Sequence, residues 1–504
     1  MEHMYFDCYD EQKALVTELV GIRSVVGSEG CEQRMAEHIR DMIAGWEYFK
    51  DHPGDLFLVP TDGDTMKRSS VVAVVEPECG SGSADAVLLM GHLDTVETSD
   101  YGSIEPLATR PEELKEALRG ICGEEVDADI ESGKFMFGRG ALDMKAGVAC
   151  YLYILRHFSR NRDSLRGSLI ALFECDEEGD SHGMLTSVEF IKDLARDRGL
   201  NIIAALCADY SSTEPAVYLG TIGKYLPCAM AFGRSSHVGQ VFSSVDPNLV
   251  ISEIISAVDY NTDLCEESFG EMTQPPVSLK QSDLKQTYSV QTADSAYAYF
   301  NWFSLRKTEE EILETLKSIA EKAADNAVRK ISEARASHRE RLERLGTGVP
   351  KGMKDRIPMP RVMTLAEYAD TVGEKLGAPD PCTDIRRFWV SEAMRLRSFD
   401  RDMSPAVIVF NAGVSYPPVT VDPDSGLGRA ASGLGIPVRT YYPFISDASF
   451  VSLLGEVPLV NLGTYGKDAH MFTERVDMDY SFRKLPNLTW DLLLKILGKD
   501  MLYN

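Results

Sequence analysis

The chain has 504 residues, 44% of them hydrophobic and 26% charged, so it is long enough for two domains with cores of their own and has the composition of a globular protein. Its formal net charge of −26 argues against nucleic acid or an anionic membrane surface as a partner. The ten cysteines form no CxxC pair, which predicts reduced thiols. The N-terminal segment lacks the layout of a signal peptide, and no run approaches the roughly 18 to 20 apolar residues of a membrane span. Together these features predict a cytoplasmic protein.

The first half of the chain alternates helical patterns with short apolar runs. Residues 9–45 carry two helical patterns, and 69–76 is a predicted strand. A second apolar run ends at His92 and Asp94. Because ligand-handling groups collect beyond the carboxyl ends of parallel strands, His92 lies where chemistry is expected.

Three further apolar runs are each followed by side chains that can bind a metal. The runs are 167–173, 201–206 and 457–462, and the side chains that follow them are Glu177 with Glu178, Asp209, and His470. In addition, Asp143 lies in a glycine-bracketed loop, 138–147, that opens an apolar helix. The glycine spacing of this loop does not match a phosphate-binding motif. We therefore expect these acidic and imidazole groups to converge on one edge of one sheet.

The pattern changes after about residue 215. Predicted strands at 224–232 and 288–303 and helices at 246–260 and 308–345 indicate an α+β insert. The last helix begins at a capping box and carries an apolar stripe for about five turns, which favours packing on the sheet of the insert; a dimer contact is the alternative.

Strand 405–410 returns to the pattern of a buried strand. The predicted fold class is therefore α/β, with a discontinuous catalytic domain, 1–215 plus 403–504, whose mostly parallel sheet is flanked by helices. The insert, 216–402, is expected to be a lid or dimerisation domain.

The residue types at the predicted sheet edge suit divalent ions. Two imidazoles and several carboxylates without sulfur favour zinc, with manganese and cobalt as alternatives. Two ions roughly 3.5 to 4 Å apart need a shared ligand, and Asp143 is the natural bridge. Asp94 shares a face with His92 and can orient its ring. Of the adjacent Glu177 and Glu178, one is expected to bind an ion and the other to take a proton from water.

Four motifs in this order resemble the di-zinc metallopeptidases that include aminoacylases, succinyl-diaminopimelate desuccinylase and glutamate carboxypeptidases. The motifs are residues 91–96, 140–147 and 176–179, and His470 with Glu474. Further segments resemble the arginine-utilisation branch of this family: 209–212, 220–224, 236–239, 246–248 and 444–447.

The resemblance implies a ligand set for two ions. His92, Asp143 and Asp209 would hold one ion, and Asp143, Glu178 and His470 the other. Many relatives place the third ligand in a Glu-Pro pair, so Glu214 is an alternative to Asp209. We prefer Asp209 because it directly follows a predicted strand.

The resemblance also implies roles around the ions. Asp94 would support His92, and Glu177 would be the general base. His237, in the insert, would be a lid histidine that stabilises the oxyanion, and the insert would form a homodimer. We also predict substrate contacts for three residues: Asn248, Ser446 and Asp447.

The expected protein is a metal-dependent amidohydrolase or peptidase of small N-acyl amino acids or dipeptide-like substrates, acting in arginine catabolism. The alternative is a metal-bearing, non-catalytic binding or regulatory protein of arginine metabolism. Glu177 argues against the alternative, since a pure binder needs no base beside a water site.

Overall fold

The computed structural model describes residues 4–78, 83–211, 213–348, 357–379, 383–444 and 446–498. Ser212 and Ile445, which belong to the segments that resemble the arginine-utilisation branch, lie outside them. The chain divides into two compact units, Met1–Ile222 with Val419–Asn504, and Gly223–Pro418. Within the described ranges, no helix is long and apolar enough to cross a bilayer.

Among the described residues, the first unit contains seven strands that precede the second unit in the chain and five that follow it. Its strands are β1 Leu56–Pro60, β2 Ser69–Val75, β3 Asp85–His92, β4 Phe135–Phe137, β5 Ser168–Glu174, β6 Asn201–Cys207, β7 Val217–Thr221, β16 Val419–Thr420, β17 Val438–Arg439, β18 Leu459–Asn461, β19 Gly466–Lys467 and β20 Arg475–Asp477. Its helices are α1 Tyr9–Gly21, α2 Cys31–Ala44, α3 Glu47–Asp51, α4 Pro111–Leu118, α5 Glu124–Ser132, α6 Ala146–Arg160, α7 His182–Arg198, α12 Gly426–Ser432 and α13 Leu485–Leu497.

The second unit has its own strands and helices. The strands are β8 Gly223–Tyr225, β9 Pro227–Phe232, β10 Glu267–Ser268, β11 Glu271–Met272, β12 Val277–Asp283, β13 Ser295–Ser304, β14 Arg361–Thr364 and β15 Ala406–Asn411. The helices are α8 Pro247–Val258, α9 Glu309–Arg344, α10 Leu365–Val372 and α11 Ile385–Phe399.

A large mixed sheet forms the centre of the first unit, in the order β1-β2-β5-β3-β6-β18-β7-β16, with β17 also paired to β7. The four middle strands, β5, β3, β6 and β18, are parallel neighbours. The outer pairs β1-β2, β2-β5, β18-β7 and β16-β7 are antiparallel. The predicted α/β fold class is confirmed. The parallel pairs are those of the four strands that the apolar runs before the metal-type residues predicted, together with the short pair β17-β7.

The apolar runs of the middle strands are buried because both faces of the sheet are covered. All residues of β5 and nearly all of β3 are buried. Helices α1, α6 and α13 pack against residues of one face in a single core cluster. Burial on both faces explains why these strands show continuous apolar runs, whereas a sheet with one wet face shows alternation.

The second unit is a sheet in the order β12-β13-β9-β15-β14, with β8 also paired to β13 and with helices on both faces. Alternate residues of β9 face different cores: Ala229 and Ala231 contact the cluster formed with α8 and α9, and Cys228 and Met230 contact the cluster formed with α10 and α11. The long helix α9 thus packs on the sheet of its own unit, as its apolar stripe predicted.

The boundary between the units differs from the predicted one at residue 403. Strand β15 pairs with β9 and β14, so the run 405–410 completes the second sheet. Its apolar residues had indicated a buried strand, and they could not indicate which sheet buries it, because partner choice depends on pairing across the chain.

Candidate metal centre

The predicted metal-type residues follow the four parallel strands at their carboxyl ends. His92 is the last residue of β3, and Glu177 and Glu178 lie in the turn after β5. Asp209 follows β6, and His470 lies beyond β18. Three sets of side chains from this edge are close enough to hold a metal ion: His92, Asp143 and Asp209; His92, Glu177 and Glu178; Asp143, Glu178 and His470.

The carboxylate of Asp143 lies between two imidazoles. Its Oδ1 is 2.9 Å from Nε2 of His92, and its Oδ2 is 3.0 Å from Nε2 of His470. Nε2 of His470 also lies 3.1 Å from Oε1 of Glu178. One buried carboxylate that presents each oxygen to a different nitrogen has the arrangement that a ligand shared by two ions requires.

The charges of these groups stabilise one another. Burial alone would lower the pKa of His92, but its hydrogen bonds with Asp143 and Asp94 raise it well above the ordinary value. Hydrogen bonds with Asp143 and Glu178 raise the pKa of His470 to about 10. Burial would raise the pKa of Asp143, but hydrogen bonds from His470 and His92 hold it below the ordinary value. The centre therefore favours positive charge beside its carboxylates.

The loop that carries Asp143 is held by a buried ion pair. Oε1 of Glu474 accepts hydrogen bonds from the backbone N–H groups of Leu142, at 3.1 Å, and Asp143, at 3.3 Å. Its Oε2 accepts one from Nη1 of Arg139 at 2.9 Å. Nη2 of Arg139 also donates to the backbone carbonyl of His470 at 3.3 Å. Arg139 and Glu474 thus join the loop of Asp143 to the loop of His470.

No role for this pair had been predicted. Arg139 lies in the glycine-bracketed loop and Glu474 in the motif with His470, and neither pattern indicates that the two residues form a pair. The sequence feature that could have indicated such a pair is a charged residue in a loop that opens an apolar helix, because a charge buried there needs a partner. Asp100 provides a further partner, because both of its carboxylate oxygens lie 2.9 Å from Nη2 of Arg139.

Asp94 lies behind His92 and holds the next turn. Nδ1 of His92 is 3.1 Å from the backbone oxygen of Asp94 and 3.7 Å from its Oδ1. The same carboxylate accepts hydrogen bonds from the backbone N–H groups of Glu177, at 3.3 Å, and Glu178, at 3.0 Å. Asp94 therefore links the orientation of His92 to the placement of both glutamates.

Burial shapes the acids around this turn. It raises the pKa of Glu177 well above the ordinary value, and it raises the pKa of Asp209 to about 7, with the charge of Asp143 adding to the effect. A carboxyl group whose pKa is raised above its ordinary value accepts a proton more readily, as a general base must. Of the two adjacent glutamates, Glu178 contacts an imidazole nitrogen, that of His470, and Glu177 has no such contact among the hydrogen bonds of the described residues.

The two candidates for the third ligand lie in different surroundings. Asp209 is buried and belongs to the set with His92 and Asp143. Glu214 forms an ion pair with Arg439 instead. This contrast favours Asp209. The remaining nearby histidine, His182, pairs through Nδ1 with Oδ2 of Asp176 at 2.9 Å.

Two of the predicted site residues lie in the second unit. His237 precedes a 3-10 segment, Val238–Ser243, and its Nδ1 accepts a hydrogen bond from the backbone N–H of Gly239. Asn248 lies in the first turn of α8, and its Nδ2 is 3.4 Å from Oδ2 of Asp283. Their roles toward a substrate stay predictions.

Ser446 and Asp447 lie in the first unit and are buried. Oγ of Ser446 accepts a hydrogen bond from the backbone N–H of Ala448, so Ser446 caps the 3-10 segment Asp447–Leu454. Burial raises the pKa of Asp447 to about 8. A substrate contact for either residue stays a prediction.

The donor set fits divalent ions. It consists of imidazole nitrogens and carboxylate oxygens without sulfur, which suits zinc, manganese and cobalt. The eight cysteines of the described residues are free thiols, and none of them belongs to the three sets that could hold a metal ion.

Comparisons with known proteins show the family and the fold. A family model described as Peptidase family M20/M25/M40 matches residues 88–487. Protein RocB of Bacillus subtilis (strain 168) is 29% identical to this chain over 96% of it and 94% of the relative. The uncharacterized protein YqjN of the same strain is 31% identical over 96% of each chain. A solved structure of a putative aminohydrolase from methicillin-resistant Staphylococcus aureus shares the fold, with a TM-score of 0.57, 12% identity, and coverage of 99% of this chain and 100% of that one.

Proposed function

Because the chain belongs to peptidase family M20/M25/M40, and is thus a hydrolase of amide bonds, we propose that it hydrolyses a small N-acyl amino acid or a dipeptide-like substrate. The family is metal-dependent, and the first unit contains a cluster that could hold metal. The segments that resemble the arginine-utilisation branch lead us to place the substrate in arginine catabolism. The free cysteines fit a reducing compartment, so we also propose a cytoplasmic location.

We also propose that the centre binds two divalent ions, with zinc as the preferred metal. His92, Asp143 and Asp209 would hold one, and Asp143, Glu178 and His470 the other. The observation that carries this assignment is the position of Asp143, whose two oxygens face His92 and His470 separately. When bound, such ions polarise a scissile carbonyl and lower the pKa of a water molecule.

The residues of the chain then carry the proton. Glu177 takes a proton from the attacking water and returns it to the leaving nitrogen, for which its raised pKa is suited. Asp94 keeps Glu177 in place by accepting the hydrogen bond of its backbone N–H. His237 is proposed to donate a hydrogen bond to the oxyanion, on the strength of the family resemblance alone.

The experiment is an assay of protein loaded with zinc, manganese or cobalt against N-acyl amino acids, including N-acyl-arginine, and dipeptides. Glu177→Gln keeps the shape of the side chain and removes the base, so kcat should fall by about 10²- to 10⁴-fold while the metal content stays unchanged. Glu189→Gln, on the exposed side of α7, is the matched control and should behave as the wild type.

Two outcomes would contradict the proposal. If neither class of amide is hydrolysed by metal-loaded protein, the hydrolase assignment to these substrates is wrong. Metal binding without turnover would then favour a non-catalytic binding or regulatory protein. If Glu177→Gln retains full activity, another group is the base.

A further inference from the structure

We propose that Arg68 is a positioning residue for this reaction: by binding Asp176 it fixes the turn from which Glu177 and Glu178 reach the candidate metal centre. The proposal rests on the proposed function, because that function gives the two glutamates their roles. Arg68 directly precedes β2 in the chain, and it contributes no group to the centre itself.

The turn after β5 has a backbone conformation that needs support. Asp176 has a φ of 68°, in the left-handed region that residues with a side chain rarely adopt. The turn is also compact, since a Cβ at Gly179 would lie 2.4 Å from Oδ1 of Asp176. A non-glycine residue keeps such a conformation only when the surroundings hold it there.

Both carboxylate oxygens of Asp176 are bound. Oδ2 accepts a hydrogen bond from the backbone N–H of His182 at 3.1 Å and lies 2.9 Å from Nδ1 of the same residue. Oδ1 accepts one from Nη1 of Arg68. The side chain of Asp176 is thereby fixed from two directions, by the start of α7 and by Arg68.

The backbone of the turn is held by carboxylates as well. The N–H of Asp176 donates to Oε1 of Glu32 at 2.9 Å, and the next two N–H groups donate to Asp94. Oε2 of Glu32 accepts from the backbone N–H of Gly27 at 3.1 Å. Three successive N–H groups are therefore occupied, which leaves the side chains of Glu177 and Glu178 to face the centre.

Arg68 supplies the positive charge that this arrangement requires. Its Nη1 contacts Asp176 and lies 3.6 Å from Oε2 of Glu32, and its Nε lies 2.9 Å from Oδ2 of Asp64. Arg68, Glu32 and Asp176 are all buried. Buried carboxylates that lose their cationic partner repel one another and remain desolvated, so without Arg68 the turn is expected to move Asp176 toward water.

Any such movement displaces the two residues that follow Asp176. Glu177 would lose its alignment as the base, and a displacement of about 1 Å can reduce turnover by about 10²-fold. Glu178 would lose its alignment with His470, which weakens the ion at that position. The ion held by His92, Asp143 and Asp209 would be less affected, because none of these three residues belongs to the turn.

The experiment compares Arg68→Gln, Asp176→Asn and the double variant with Arg198→Gln. Arg198 is the matched control, since it is a partly buried arginine of the same unit that pairs with Asp55 and Glu76 and does not contact the turn. Each protein is checked for folding by circular dichroism, titrated with Co²⁺ while the absorption spectrum is recorded, and assayed for kcat and KM. If Arg68→Gln does not fold, Asp176→Asn, which is nearly isosteric, carries the test.

For Arg68→Gln we expect kcat to fall by about 10²-fold with KM changed less than about threefold. The affinity for the second Co²⁺ should fall by about 10- to 100-fold, and that for the first should stay unchanged. The double variant should be no worse than the worse single variant, because both remove the same link. In an additional variant, Arg68→Gly, guanidinium ions far below denaturing concentrations should restore part of the activity, and urea should not.

The proposal is overturned if Arg68→Gln lowers only thermal stability while kcat and Co²⁺ affinity match the wild type, or if the effects of the two single variants multiply. It is also overturned if Arg198→Gln shows the same loss. If the wild type hydrolyses no amide, the proposed function fails, and the Co²⁺ titration still decides the role of Arg68.

Discussion

Replacing Glu474 by alanine removes a carboxylate that accepts two backbone hydrogen bonds from the loop of Asp143. Its carboxylate accepts hydrogen bonds from the backbone N–H groups of Leu142 and Asp143 and from Arg139. All three donors lie in a buried region, so water cannot take the place of the lost oxygens without rearrangement. We expect the loop to open locally and Asp143 to lose its fixed position between the two histidines.

The magnitude follows from these contacts. A buried donor left without a partner costs about 1 to 3 kcal/mol, and breaking a buried ion pair about 3 to 5 kcal/mol. Because Asp100 still pairs with Arg139, and because the three losses are not independent, we expect about 4 kcal/mol for Glu474→Ala. Glu474→Gln keeps one oxygen for the two backbone donors and should cost about 2 kcal/mol.

Hydrogen exchange of the segment 140–145, followed by mass spectrometry, measures this loss locally. A global unfolding midpoint is unsuitable, since a chain of two compact units need not unfold in one step. At about 1.4 kcal/mol per tenfold change, the amides of Leu142 and Asp143 should exchange about 10³-fold faster in Glu474→Ala and about 30-fold faster in Glu474→Gln.

Glu125→Ala is the control, because the side chain of Glu125 is mostly exposed and forms ion pairs with Lys467 and, at 3.7 Å, with Arg475. Ion pairs of an exposed carboxylate are each worth about 0 to 1 kcal/mol. If the segment stays as protected in Glu474→Ala as in the wild type, Glu474 does not hold the loop. The same conclusion follows if the glutamine variant exchanges faster than the alanine variant, because the retained oxygen would then have no effect.

Three further predictions concern the ions and the two units. His470→Ala should reduce the bound metal from two ions to one, measured by elemental analysis after gel filtration, and unchanged stoichiometry would contradict the assignment of His470. Gly147→Ala should destabilise the first unit by about 1 to 3 kcal/mol and weaken metal binding, because the new Cβ would lie 2.6 Å from the backbone oxygen of Ala208, next to Asp209. Gly21→Ala is the control and should have neither effect, because a Cβ at Gly21 would have no atom within 4 Å. Thr308→Ala should lower the stability of the second unit by about 1 kcal/mol, because it removes the cap of α9. Thr315→Ala, on the exposed side of the same helix, should lower it by less than about 0.5 kcal/mol. Hydrogen exchange of α9 measures both losses.

The elements that the sequence predicted are those set by local patterns. The capping box of Thr308 and Glu311 marked the start of α9, and its apolar stripe marked the buried face. Continuous apolar runs identified the middle strands of the first sheet, because burial on both faces leaves no polar alternation. The antiparallel outer strands and the allocation of 405–410 to the second sheet were not predictable, since a run of apolar residues does not encode its partner strand.

The same division applies to the centre. The order of residues along the chain was enough to place His92, Glu177, Glu178 and Asp209 at strand ends, because parallel strands end at one edge of a sheet. Sequence also supplied the chemistry of the donors, which is a property of each side chain alone.

Only the tertiary structure decided which groups meet. Arg139 and Glu474 are 335 positions apart in the chain, and their ion pair forms only when two loops fold over one sheet edge. The contacts of Arg68 with Asp176 arise in the same way. The physical reason is that a buried charge is stable only beside its partner. When that partner is far away in the chain, the residues around the charge do not show which residue it will be.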